Sequence, residues 1–246
     1  LLDALLADGK VLSQEQSDLL QLAHIFTPDH VQKAISDLNN HTSPGEDGLP
    51  PEYYKLMAPP PPPSQDMGAR ERGEVSESQA SPFATLIAGA FHQMASVPGG
   101  QMPDRMRRSV ISFIYKEKGH RYHIKNYRPI GVTSILFRIL AKTLVIAIRP
   151  LLSNLVTNLQ AAFQDGRYIG ENIQMVQDLI AYLNHTDSPG FLVFCDQDNA
   201  YPRVDWGFLQ QVMTRMNIHP EFRQVLKCMY TNPETRFKVN GHTDPT

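Results

Sequence analysis

The chain has 246 residues, 41% of them hydrophobic and 20% charged, a balance that permits a buried core and excludes disordered and fibrous classes. A net charge of −2 points to no partner by itself, and two cysteines exclude a disulfide framework and a zinc site. No run of 18 apolar residues is present, so no transmembrane helix and no membrane partner are predicted. The charge is unevenly placed: residues 105–149 carry eleven Lys or Arg against one acidic residue, Glu117. Such a block suggests a surface that faces a polyanion, although solvated helix faces can produce the same pattern.

In chain order, residues 1–26 have helical character, with Gly9 as an interruption. Thr27-Pro28-Asp29 is a helix start, with a capping hydroxyl, a first-turn proline and an early acid. Val31, Ile35 and Leu38 mark the apolar face of that helix. A turn-rich loop at 43–51 leads to a short helix at 52–57. Residues 59–81 open with five prolines and continue as a polar Glu, Ser and Arg-rich tract, the composition of a linker or insertion. A helix is predicted at 83–94, a turn at 98–100, a strand at 110–115 and a charged loop at 116–126. A long apolar helix follows at 134–148, with Arg138 and Lys142 on one side and Pro150 beyond its end. After a turn at 166–170, Ile173, Val176, Ile180 and Leu183 have helical spacing over 172–183. Residues 191–195 are apolar and predict a buried strand, in which Cys195, like Cys228 further on, is a small core residue. Helices at 204–216 and 220–230, a strand at 235–239 and an Asn240-Gly241 hairpin turn complete the chain.

The strand at 191–195 runs into Asp196, with Tyr201 five residues on and Val204-Asp205-Trp206 opening the next helix. A strand in this position delivers a carboxylate to the open end of a sheet, where it can hold a hard cation. Asp196 could also merely cap the following helix. Asp196-x-Asp198 has the form of a phosphatase acidic pair, but that class expects Thr or Val at position 200, which is Ala200 here.

The segment from Asp196 to Trp206 resembles motif A of reverse transcriptases, in the wording of non-LTR (LINE-type) retroelements. Four other segments resemble the same family in the same order. They are Ser43-Pro-Gly-Glu-Asp-Gly48 through Lys55, Ile114-Tyr-Lys116 with Asn126-Tyr-Arg-Pro-Ile130, Ile139-Leu-Ala-Lys142, and Gln160-Ala-Ala-Phe163 with Gly166-Arg167 and Glu171-Asn-Ile173. Together they cover roughly residues 27–241, apart from the insertion.

The resemblance implies an α+β fold: right-hand polymerase fingers plus an incomplete palm, mainly helical, with a small antiparallel sheet. It implies four segments: an N-terminal helical part and the start of the fingers at 1–58, the insertion at 59–82, fingers and the start of the palm at 83–190, and a partial palm at 191–246. The implied activity is RNA-directed DNA polymerisation, with Mg²⁺ as cofactor and an RNA template, a DNA primer and dNTPs as partners. The protein would be intracellular, nuclear in the parent element; the oligomeric state stays open. Asp196 would be the catalytic metal ligand, helped by the backbone carbonyl of Gln197. Tyr201 would lie under the incoming sugar and exclude a 2′-hydroxyl, unless it is a core aromatic. Lys116 and Arg128 would reach the triphosphate, or else contact the template backbone. Arg107, Arg108, Gln160, Phe163, Gly166 and Arg167 would contact template and primer, with a packing role equally open to Phe163. Asp47 and Gly48 would order the fingers loop.

The chain departs from the pattern at Tyr115 for Pro, Asn199 for Lys and Pro202 for Asp. It contains no Tyr/Phe-x-Asp-Asp, and it begins with Leu1. The expectation is therefore a fragment without catalysis of its own, with a non-catalytic nucleic-acid-binding remnant as the alternative.

Overall fold

The computed structural model describes residues 10–59, 80–97, 99–157, 160–162, 164–197, 200–239 and 241–243. In chain order its helices are α1 (Gln14–Asp18), α2 (Leu22–Ile25), α3 (Pro28–Ser36), α4 (Pro51–Met57), α5 (Pro82–Ser96), α6 (Asp104–Arg107), α7 (Ile135–Ile148), α8 (Leu152–Leu155), α9 (Ile169–His185), α10 (Trp206–Arg215) and α11 (Pro220–Tyr230). The strands are β1 (Arg108–Tyr115), β2 (Tyr127–Thr133), β3 (Glu234–Val239) and β4 (His242–Thr243).

Local chemistry sets the helix starts. The hydroxyls of Thr27, Ser81 and Ser134 accept hydrogen bonds from the backbone N–H groups of His30, Ala84 and Phe137, each three residues on. Proline occupies the first turn of α3, α5 and α11, where its missing N–H leaves no partner unsatisfied.

The chain divides into two compact units. The larger comprises Ser17–Arg149 with His219–Thr246. Its core is helical: Val31 and Ile35 of α3, Ile87 and Phe91 of α5, Ile139 and Leu140 of α7, and Val225 of α11 are all buried. Phe26 and Phe91 pack with ring centroids 5.7 Å apart. Buried Gln32 donates to the Ala58 carbonyl at 3.0 Å and accepts from the Ser81 amide at 3.1 Å. One side chain thus holds both sides of the stretch read as an insertion, whose residues 60–79 lie outside the described residues.

The sheet of this unit has the order β2-β1-β3-β4. β1 pairs with β2 antiparallel and with β3 parallel, and β3 pairs with β4 antiparallel. The expected antiparallel sheet is therefore mixed. β2 was not foreseen; its Pro129 and Gly131 are residues that disfavour a strand interior. It lies at the sheet edge, where a proline without an N–H is tolerated.

The smaller unit comprises Leu1–Gln16 and Pro150–Ile218. Lys10 donates to the carbonyls of Ser153 and Val156, both at 3.0 Å. Leu12 and Met216 share a backbone hydrogen bond of 3.1 Å, so the chain start is tied to the end of α10. α9 is longer than foreseen, and none of its residues is buried.

The predicted buried strand at 191–195 is not formed. The segment has no regular secondary structure and no ladder partner among the described residues, and Phe191 is 98% and Phe194 81% exposed. A strand exists only by pairing its N–H and C=O groups with a neighbour. All four described strands pair with one another in the other unit. Cys195 is consequently exposed and not a core residue, whereas Cys228 is buried as expected.

Candidate active site

The residues singled out from the sequence divide between the units. Asp196, Gln197, Tyr201, Gln160, Gly166 and Arg167 belong to the smaller unit; Arg107, Arg108, Lys116 and Arg128 belong to the larger. Phe163, Asp198 and Asn199 lie outside the described residues.

In the smaller unit, Asp196 is exposed at the end of the apolar run and makes no hydrogen bond among the described residues. The cap of the following helix is Asp205, whose carboxylate accepts from the Phe208 amide at 2.6 Å. Asp196 is thus free of the capping role that could have explained it. Tyr201 stands 82% exposed in the intervening turn and is not a core aromatic. Upstream, Gly166 adopts φ +75°, a left-handed turn that suits glycine. Arg167 donates to the carbonyls of Thr157 and Gln160, which holds this turn against the preceding segment.

In the larger unit, sheet register decides which side chains share a face. Arg108, Val110, Ser112 and Ile114 of β1 stand beside Arg128, Ile130 and Val132 of β2 and beside Glu234, Arg236 and Lys238 of β3. Thr243 of β4 continues the row from Lys238. A cavity of about 410 Å³ opens on this face, lined by Val110, Ser112, Arg236 and Lys238 of the sheet and by residues 43–46 of the turn-rich loop. The opposite face carries Ile111, Phe113, Tyr115, Tyr127 and Phe237; the Phe113 and Phe237 rings stack 6.1 Å apart.

The loop is held in place at several points. Arg138 donates to the Thr42 hydroxyl at 3.2 Å and the Ser43 carbonyl at 2.9 Å. Glu46 pairs with Arg236. The Asp47 carboxylate accepts from the Leu49 amide at 3.3 Å, and Gly48 takes φ +70°. Asp47 thus braces the turn through its side chain and Gly48 through its left-handed backbone. Tyr54 of α4 is buried, and its hydroxyl is pushed up to about 12 by desolvation and then by the nearby charge of Asp47.

Several cations are engaged internally. Arg107 pairs with Asp104 and Glu234 and donates to the Asn232 carbonyl. Its side chain is only 12% exposed, and its Nε is buried without a hydrogen-bond partner among the described residues. The Arg107 hydrogen bond holds the Asp104 carboxyl below its usual range. Arg108 pairs with Glu234 at 2.9 Å, which raises the guanidinium further. Lys142 pairs with Asp37 at 3.6 Å. At the sheet tip, Lys116 donates to the Lys125 carbonyl at 3.0 Å, and Arg121 lies 5.2 Å from the centre of the Tyr115 ring. Exposed Arg128 has no ion-pair partner among the described residues, and neither does exposed Lys238, which the sequence reading did not single out.

Among the described residues no cluster of three His, Cys, Asp or Glu side chains could hold a metal, and no helix is long and apolar enough to cross a membrane. The sequence pattern of the reverse transcriptase (RNA-dependent DNA polymerase) family matches residues 114–245. The Transposon TX1 uncharacterized 149 kDa protein of Xenopus laevis is 26% identical over 230 residues; the match covers 94% of this chain and 16% of that relative. The match to the family extends over more than half of the sequence, from the tip of β1 to the last described strand, and on that ground the chain belongs to the reverse transcriptase family.

Proposed function

We propose that this chain carries the fingers and the first carboxylate motif of an RNA-directed DNA polymerase of a non-LTR retroelement. Asp196 supports this reading most directly. It is an exposed carboxylate at the end of an apolar run, free of the local capping role, followed at the family spacing by Tyr201 and by the helix that Asp205 caps.

Nucleotide addition is phosphoryl transfer, in which the protein supplies positioning and electrostatics. Mg²⁺ in such a centre stabilises charge on the transferring phosphoryl group and on the leaving pyrophosphate. Asp196 and the Gln197 carbonyl offer the hard oxygens that Mg²⁺ prefers, so the donors fit in kind. They do not fit in number: one carboxylate does not hold two ions, and the sequence has no Tyr/Phe-x-Asp-Asp. The 246 residues by themselves therefore bind nucleic acid without extending a primer. Tyr201 occupies the position that excludes a 2′-hydroxyl, Lys116 and Arg128 that of contacts to the triphosphate or to the template backbone, and Gln160, Phe163, Gly166 and Arg167 that of the floor under template and primer.

The test is primer extension by the purified chain on an RNA template with a DNA primer, Mg²⁺ and dNTPs. The expected result is retention of the hybrid with no incorporation. Incorporation that Asp196→Asn abolishes would contradict the incompleteness of the centre. Failure to retain the hybrid would contradict the polymerase reading itself.

A further inference from the structure

The register of the mixed sheet places Arg128 and Lys238, two cations without an ion-pair partner among the described residues, on one face, on the two strands that flank β1. Their β1 partners are Ile114 and Ser112, one pleat apart. With a strand spacing of about 4.8 Å and a rise of about 3.4 Å per residue, their Cα atoms lie roughly 12 Å apart. Around Lys238 the same face presents the hydroxyls of Ser112 and Thr243. The remaining charges on the face are already balanced, Arg108 by Glu234 and Arg236 by Glu46. Among the described residues the charge left over on this face is positive and lies on Arg128 and Lys238. The opposite face, by contrast, carries no charged side chain in register with these residues: Ile111, Phe113, Tyr115, Tyr127 and Phe237 lie there, with the hydroxyls of Ser109, Thr133 and Thr235 at one end.

We propose that Lys238, with Ser112 and Thr243, binds the phosphate backbone of a single polynucleotide strand laid across this face toward Arg128. The proposal rests on the polymerase reading and assigns one of its surfaces. Charge complementarity selects the occupant. A polyanion with regularly spaced phosphates can meet two cations held apart on a rigid sheet. The hydroxyls add neutral donors that do not need a second counter-ion. Lys238 lies outside the basic block at 105–149 and reaches this face only because β3 pairs parallel to β1.

The test is binding of a fluorescently labelled single-stranded RNA to the whole chain across a salt series. Each phosphate contact on a single strand contributes about 0.7 to the slope of log affinity against log salt. Lys238→Ala is expected to lower the slope by about 0.7 and the affinity about eightfold at about 50 mM salt. Lys238→Arg should restore both, and Lys33→Ala, at an exposed lysine of α3, should change neither. Unchanged binding in Lys238→Ala, with Arg128→Ala still weakening it, overturns this assignment and leaves the polymerase reading intact. A Lys238→Ala effect on dNTP binding with none on RNA also overturns it. Absence of RNA binding by the unmodified chain removes both.

Discussion

Gly45 has no room for a side chain. A Cβ there would lie 2.5 Å from the Ser134 Cα and 2.7 Å from its backbone nitrogen, atoms fixed at the start of α7. The same loop is tied down two residues before by Arg138 and one residue after by Glu46. It cannot move aside without breaking those bonds. Gly45→Ala is expected to destabilise the chain by about 1–3 kcal/mol, measured by urea unfolding. An unchanged midpoint would mean that the loop does not rest on α7. Gly45 thus sits where close approach to α7 requires a glycine, in a loop whose residues 43–46 form one wall of the cavity.

At the scale of elements, the segment at 191–195 has no strand pairing among the described residues. It exposes Phe191, Val193 and Phe194 and leaves its backbone groups without a ladder. Such a segment is a template for intermolecular pairing. Replacing Phe191 and Phe194 together by Lys is expected to reduce aggregation of the purified chain, followed by light scattering; equal or greater scattering would count against an exposed strand template. The contrast with α7 shows what can be read from a sequence. α7 is specified locally, by the Ser134 cap and a continuous apolar run, and it formed where expected. The segment at 191–195 has the right residues for a strand, but strand formation depends on a partner elsewhere in the chain. β2 shows the converse: its Pro129 and Gly131 argue against a strand, and only its place at the sheet edge makes them acceptable. The site divides in the same way. The helix start at Asp205 was legible from the residues, whereas the roles proposed for Asp196 and Tyr201 come from the family resemblance. Lys238 was not, because a lysine in a short strand reads as a solvated charge until the register sets it beside Ser112. Nor could the sequence say that Arg107 and Arg108, counted with the basic block, are engaged by Asp104 and Glu234.

At the scale of the whole molecule, the chain spans 16% of the transposon protein it matches. Its larger unit supplies the mixed sheet and its smaller unit supplies Asp196. The central claim is that Asp196 belongs to a polymerase metal centre that these residues begin and do not complete. The most direct measurement continues the chain after Thr246 with the Tyr-x-Asp-Asp hairpin and thumb of an intact member of the family. Template-directed dNTP incorporation is then compared for Asp196 and Asp196→Asn, and for Pro202 and Pro202→Asp, alongside hybrid binding. The predicted result is incorporation by the continued chain, higher with Asp at position 202, and a loss of at least about 100-fold in Asp196→Asn with binding preserved. Incorporation that survives Asp196→Asn would contradict the claim.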